Sequence, residues 1–112
     1  MKVSDLIRIT GFKVLTERNN TEREVKGCYI SDLLSWVMGH AGPQNAWITI
    51  MSHLNIVAVA SLLDLSCIII AEGEQPDSDT LARAEEENVI ILSADCTSFE
   101  AAKLLIEAGL PI

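Results

Sequence analysis

Basic residues are scarce. Eight Lys and Arg stand against sixteen Asp and Glu, giving a net charge of −8 and a pI near 4.5. Phosphate neutralisation needs clustered cations, whereas Lys2, Arg8, Lys13, Arg18, Arg23 and Lys26 are scattered through one half of the chain. No nucleic-acid partner is expected, and the acidic surface is read as serving solubility. The three cysteines, Cys28, Cys67 and Cys96, form no C-x-x-C pair. An odd count without a signal peptide fits a reducing cytoplasm. Asp5 lies close to Met1 and no apolar leader follows, so no secretory segment is expected. The longest apolar stretch, 56–71, is broken by Asp64 and falls short of the roughly 20 residues that cross a bilayer. It is core material, and no membrane partner is expected.

Catalytic and nucleotide fingerprints are missing too. The chain has no G-x-G-x-x-G after a strand, no G-x-x-x-x-G-K-[ST] and no G-x-S-x-G elbow. Ser93, Asp95 and His53 can be drawn as a triad, but without the elbow nothing supports it. Cys28, Cys96 and His53 match no metal-ligand spacing. No cofactor and no metal are expected.

What is present is core. The 112 residues are 49% hydrophobic, and the mean hydropathy is +0.30. This suits one domain, 1–112, around a single core. Ser4 can cap a short helix, 5–9, that ends at Thr10-Gly11. Strands are expected at 12–16 and 25–30, separated by the polar stretch 17–24, a solvated loop. Ser31 opens a helix with a broad apolar stripe, Leu33, Leu34, Trp36, Val37 and Met38, stopped by 39–43. Residues 46–51, 67–71 and 89–92 are strands, the last two being runs of the kind buried on both faces.

Residues 56–65 favour strand by composition. Two buried parallel strands need a crossover of a dozen or so residues, so this segment is read as a helix with Asn55 as its cap. A surface helix follows at 76–87, with Leu81 and Ala84 inward and the acidic run Glu85-Glu86-Glu87 solvated. Thr97-Ser98-Phe99-Glu100 has the capping-box form and opens the last helix, which Gly109 ends. Strand and helix alternate at intervals of about 20 residues, the pattern of an α/β domain. The expected architecture is three-layer α/β/α, with helices on both faces of a mostly parallel sheet of about five strands.

In such sheets ligands bind beyond the carboxyl ends of the strands, beside helix N-termini. That edge collects Ser52, His53 and Asn55 after the strand at 46–51. It adds Glu72 and Gly73 after 67–71, then Ser93, Asp95 and Thr97 after 89–92. Asn55, Thr97 and Ser31 are most simply caps. His53 is the sharper candidate, as a side chain that titrates near neutrality at a strand end.

Three stretches carry a resemblance. "TEREVKGCYISDLLSWVMGHA", "AWITIMSHLNIVAVASLLDLSCIIIAEG" and "VIILSAD" together resemble the DRTGG domain, an accessory domain found beside CBS pairs and in long bacterial phosphate acetyltransferases. Its fold is related to the N-terminal domain of HPr kinase/phosphorylase. Arg23 and Gly27 match the naming motif, followed by Tyr29, Ser31 and Asp32. Glu22 stands in place of Asp, Cys28 in place of a second Gly, and Leu54 in place of Pro in an H-P-N step that keeps His53 and Asn55. The kinase half with its P-loop is absent, so phosphoryl transfer is not inherited.

The resemblance implies a regulatory or ligand-binding module. Some members stand in operons with iron-only hydrogenases, which implies a redox or hydrogenase-related protein partner. The expected function is a non-catalytic cytoplasmic sensing module, a homodimer, that binds a small ligand (anionic or nucleotide) or a partner protein. Arg23 would supply charge, Gly27 a close backbone approach, and His53 with Asn55 a polar rim. The ligand-binding set is Arg23, Gly27, Tyr29, Ser52, His53, Asn55, Glu72, Ser93 and Asp95. Two alternatives stay open: a pure homodimerisation or interaction module, and a small enzyme using His53 and Asp95.

Overall fold

A β-branched run with no polar face must be covered on both sides, and the structure is arranged around one such run. The computed structural model describes residues 1–17 and 20–111. Its strands are β1 (Lys13–Val14), β2 (Gly27–Ile30), β3 (Asn45–Thr49), β4 (Cys67–Ile70) and β5 (Ile91–Ser93). They form one sheet in the order β1-β5-β4-β3-β2. β4 is central, and all four of its residues are buried. β2, β3, β4 and β5 run parallel, while β1 adds an antiparallel edge with Lys13 opposite Ser93.

Side chains alternate between the faces with the period of two that a strand imposes. Cys67 and Ile69 join the core under α1 (Val3–Thr10) and α5 (Ser98–Glu107), with Leu6, Ile48, Leu92 and Leu105. Ile68 and Ile70 join the opposite core with Trp47, Ile56, Ala84 and Ile91. That core lies under α2 (Leu34–His40), α3 (Asn55–Leu63) and α4 (Ser78–Glu87). The three-layer α/β/α expectation holds.

Several starts differ from the sequence reading, for local reasons. Ser4 does not cap α1: the Asp5 carboxylate reaches back to accept the Lys2 N–H at 3.0 Å. The loop expected to be solvated supplies further partners. Val3 N–H donates to Arg23 C=O at 2.9 Å and Ser4 N–H to Thr21 C=O at 2.8 Å, satisfying N–H groups that a helix start leaves free. Arg18 and Asn19 of that loop lie outside the described residues. Gly11 ends α1 in the left-handed region, at φ 75°, as read. Nor is the acidic run on α4 merely solvated, since Glu85 accepts the Glu17 N–H at 2.8 Å.

Ser31 does not open α2. Its hydroxyl accepts the Leu33 N–H at 3.2 Å in a local turn, and the helix begins at Leu34. The expected inward stripe is mostly outward: Val37 is buried, whereas Leu33, Trp36 and Met38 are exposed. α2 packs against α3, which packs in turn against α4, so α2 lies at the end of its layer. Asn55 is the first residue of α3 rather than its cap. Leu54 before it is already helical at φ −53°, ψ −33°, and Ile56 N–H donates to His53 C=O at 3.2 Å. The Thr97–Glu100 capping box is as read, with reciprocal bonds of 3.1 Å.

Candidate functional site

The four parallel strands deliver their following loops to one edge, and hydrogen bonds lock neighbouring loops together. The Asp32 carboxylate accepts Thr49 Oγ1–H and Ile50 N–H, both at 2.8 Å, which ties the β2–α2 loop to the end of β3. Ser52 C=O accepts Thr80 Oγ1–H at 2.9 Å and Asp77 N–H at 3.2 Å, fixing the β3–α3 loop to the start of α4. Glu72 N–H donates to Cys96 C=O at 2.7 Å and Gly73 N–H to Ala94 C=O at 3.3 Å, joining the β4–α4 and β5–α5 loops. A side chain on Gly73 would meet Asp95 Oδ1 at 3.1 Å, so the carboxylate lies against the glycine backbone.

Six of the nine expected residues therefore share this edge: Ser52, His53, Asn55, Glu72, Ser93 and Asp95. His53 and Asn55 are exposed. Among the described residues no hydrogen bond joins His53 to Asp95 or to Ser93, so neither dyad nor triad is assembled. Ser93 and Asp95 line a cleft of ≈ 320 Å³ with Thr10, Gly11, Lys13 and Cys96. Lys13 brings a cation to this cleft because β1 pairs antiparallel with β5.

Arg23 and Gly27 lie at the opposite end of the sheet. The Arg23 guanidinium donates to the Asp64 carboxylate at 2.7 Å, to Leu65 C=O at 3.2 Å and to Asp64 C=O at 3.4 Å. Its charge is engaged with the end of α3. Gly27 opens β2 opposite Asn45. A Cβ on Gly27 would meet Asn45 Nδ2 at 3.0 Å, so the close approach that needs glycine is made by a side chain of this protein. Tyr29 belongs to neither end: its ring lies on the α2 face, stacked on His40, whose other neighbour is Trp36 with centroids 4.2 Å apart.

Burial raises the pKa of all three cysteine thiols. Burial pushes the Cys28 thiol up to about 12, and Cys96 is raised by desolvation and then by Glu100, Asp95 and Glu72. Neutral thiols are weak nucleophiles and weak ligands. Among the described residues no group of three or more His, Cys, Asp or Glu could hold a metal ion.

The sequence matches the DRTGG domain over residues 5–108. The chain belongs to the DRTGG domain family. A solved relative in fold is the CBS and DRTGG regulatory region of Clostridium perfringens pyrophosphatase, complexed with the activator diadenosine tetraphosphate. It superposes with a TM-score of 0.77 at 15% identity, covering 98% of this chain and 47% of that one. The DRTGG domain described here thus spans about half the length of that chain, and at this identity the likeness is one of fold. A comparison with curated proteins finds no match. No helix among the described residues is long and apolar enough to cross a membrane. Within this DRTGG domain, Asp32 and Lys13 were missed as site-edge residues. Asp32 follows the motif and could have been found from it, whereas Lys13 reaches Ser93 only through a pairing 80 positions apart.

Proposed function

We propose that this DRTGG domain is a non-catalytic regulatory module that binds a nucleotide-type ligand at the carboxyl edge of its sheet. In this reading it works in the cytoplasm as a homodimer and signals to a partner protein. A redox or hydrogenase-related protein is the partner that the family resemblance implies. The observation that carries the ligand reading is the cleft at the end of β5, where Lys13, Ser93 and Asp95 border one volume. An ammonium suits a phosphate group, and a carboxylate at a strand end can accept the hydroxyls of a sugar. The capping box occupies the Thr97 and Glu100 amides, and the side chains of Lys13, Ser93 and Asp95 would hold the ligand. The nucleotide activator of the pyrophosphatase regulatory region supports the ligand class. The non-catalytic part of the reading is supported by the regulatory region in which the solved DRTGG relative stands.

A thermal-shift titration with AMP, ATP and diadenosine tetraphosphate tests the reading. A ligand at a hundred times its Kd stabilises the fold by about 2.7 kcal/mol. Lys13→Ala and Asp95→Ala, both at exposed positions, are expected to abolish the shift. Absence of any shift at millimolar nucleotide would overturn the proposal.

A further inference from the structure

The two edges of the sheet are finished differently. β1 is two residues long and carries Lys13, and its ladder passes at once to Leu15 N–H on Ile91 C=O and Thr16 Oγ1 on Ile91 N–H. Short, charged edges resist pairing with another chain. β2 is four residues long, Gly27-Cys28-Tyr29-Ile30, with neither charge nor proline. β3 fills its inner side. Ser31 N–H donates inward to Ile48 C=O and Tyr29 pairs with Trp47, so the groups of Gly27 and Tyr29 face β3 and strand alternation turns the backbone groups of Cys28 and Ile30 outward.

Apolar surface flanks this edge on both faces. On the α5 side a cleft of ≈ 390 Å³ lies between β2 and α5, with Cys28, Ile30, Leu105 and Ile106 in its wall. Ile30 is 45% exposed and Ile106 53%. On the α2 side Leu33 and Trp36 are exposed, and Trp36 is held through His40 to Tyr29 of the edge strand itself. Scattered apolar side chains at a surface need no explanation, but a set beside an unpaired strand does.

We propose that β2 is the interface of a homodimer, pairing antiparallel with β2 of a second copy about a two-fold axis through Tyr29. This rests on the homodimer reading above and adds where the contact lies. A second copy fits better than a foreign strand because the edge is self-complementary. The outward groups belong to Cys28 and Ile30, symmetric about Tyr29, so the axis sets each Cys28 opposite the other copy's Ile30 and closes the bonds reciprocally. The same register places Lys26 opposite the other copy's Asp32. The lysine stem then covers apolar surface while its ammonium extends toward that carboxylate. Lys26 makes no ion pair within its own chain among the described residues. The chain carries −8 overall, yet Gly27–Ile30 carries no charge and the acidic run of α4 lies at the far end of its layer. A stable interface takes about 800 Å² from each partner. Four strand residues do not reach that area, and the exposed Leu33, Trp36 and Ile106 beside them would supply the remainder.

Light scattering over a concentration series, with amide hydrogen exchange on the same samples, tests the interface. The expected mass is twice 12.2 kDa at high concentration, with exchange of the Cys28 and Ile30 amides slowed about tenfold or more relative to the dilute protein. Ile30→Lys and, separately, Ile106→Glu are expected to return the mass to one chain without lowering the melting temperature of the dilute protein, since both side chains are half exposed. A single-chain mass at every concentration would overturn the dimer and the interface together. A dimer that survives both substitutions, with Cys28 and Ile30 exchanging freely, would keep the dimer and overturn this interface.

Discussion

Replacing Arg23 by Ala separates a structural role from a ligand role. The guanidinium makes three hydrogen bonds to the turn after α3, two of them to the carbonyls of Asp64 and Leu65. Leu65 is 2% exposed, so its carbonyl has little access to water once the donor is gone. A hydrogen bond to a charged group contributes about 1.5–3 kcal/mol. The Asp64 carboxylate is largely exposed, with 68% side-chain accessibility, and such a pair adds only about 0.2–1 kcal/mol. Arg23→Ala is therefore expected to cost about 2–3 kcal/mol, a fall of roughly 6–12 °C in Tm for a domain of this size. Asp64→Asn tolerates the left-handed backbone at φ 57° and is expected to cost under about 1 kcal/mol. Thermal melts followed by circular dichroism read both, and nucleotide titration of Arg23→Ala at low temperature reads the ligand role. An Arg23→Ala protein that melts with the wild type but loses ligand affinity would refute the assignment and return Arg23 to the binding site.

Gly73→Ala places a side chain at φ +68°, 3.1 Å from Asp95 Oδ1. It is expected to cost about 1–2 kcal/mol from the backbone alone, and an unchanged melting temperature would contradict that geometry. The pH dependence of stability follows from two carboxyls. The Lys2 N–H and then Arg8 hold Asp5 below its ordinary 3.8, and the Thr97 N–H holds Glu100 below its ordinary 4.5. Depressed values mean that the fold binds these protons less readily than the unfolded chain. Their contribution is complete above the ordinary values and is lost as pH falls through the folded ones. Melts from pH 7 to 2 are expected to stay level from these groups until about pH 5 and then decline. Asp5→Asn with Glu100→Gln is expected to make that decline shallower; an equal slope in the double variant would refute the attribution.

The parts legible in the sequence are those whose causes are local. The run at 67–71 is apolar throughout, and a strand buried on both faces asks for that. Thr97 and Glu100 are three residues apart, and their reciprocal bonds need nothing beyond the helix start. Asn55 and Ser31 show where such local reasoning ends. Both are good caps by residue type, but Leu54 enters the helix one residue before Asn55, and Ser31 spends its hydroxyl in a turn while Asp32 binds β3. The stripe on α2 misleads for a different reason: its periodicity predicts burial, and burial requires a neighbour on each side, which a helix at the end of a layer lacks.

Site residues obey the same division with larger consequences. Ser52, Glu72, Ser93 and Asp95 were placed correctly on one edge because parallel strands return every following loop to the same side, a property of topology that spacing reveals. Arg23 and Gly27 stand in a motif, and a motif does not say what its residues touch. The partners of Arg23 lie 41 and 42 positions away, and the neighbour that needs Gly27 small is Asn45 on the adjacent strand. Both act at the amino end of the sheet, where they hold β2 and the turn after α3 in place. That assignment explains how Cys28 can stand in place of a glycine: its half-buried side chain packs against the α5-side core, away from the cleft bordered by Lys13, Ser93 and Asp95. The motif in this chain accordingly constrains the edge strand, and the cleft proposed for a ligand is bordered by residues that the motif does not include.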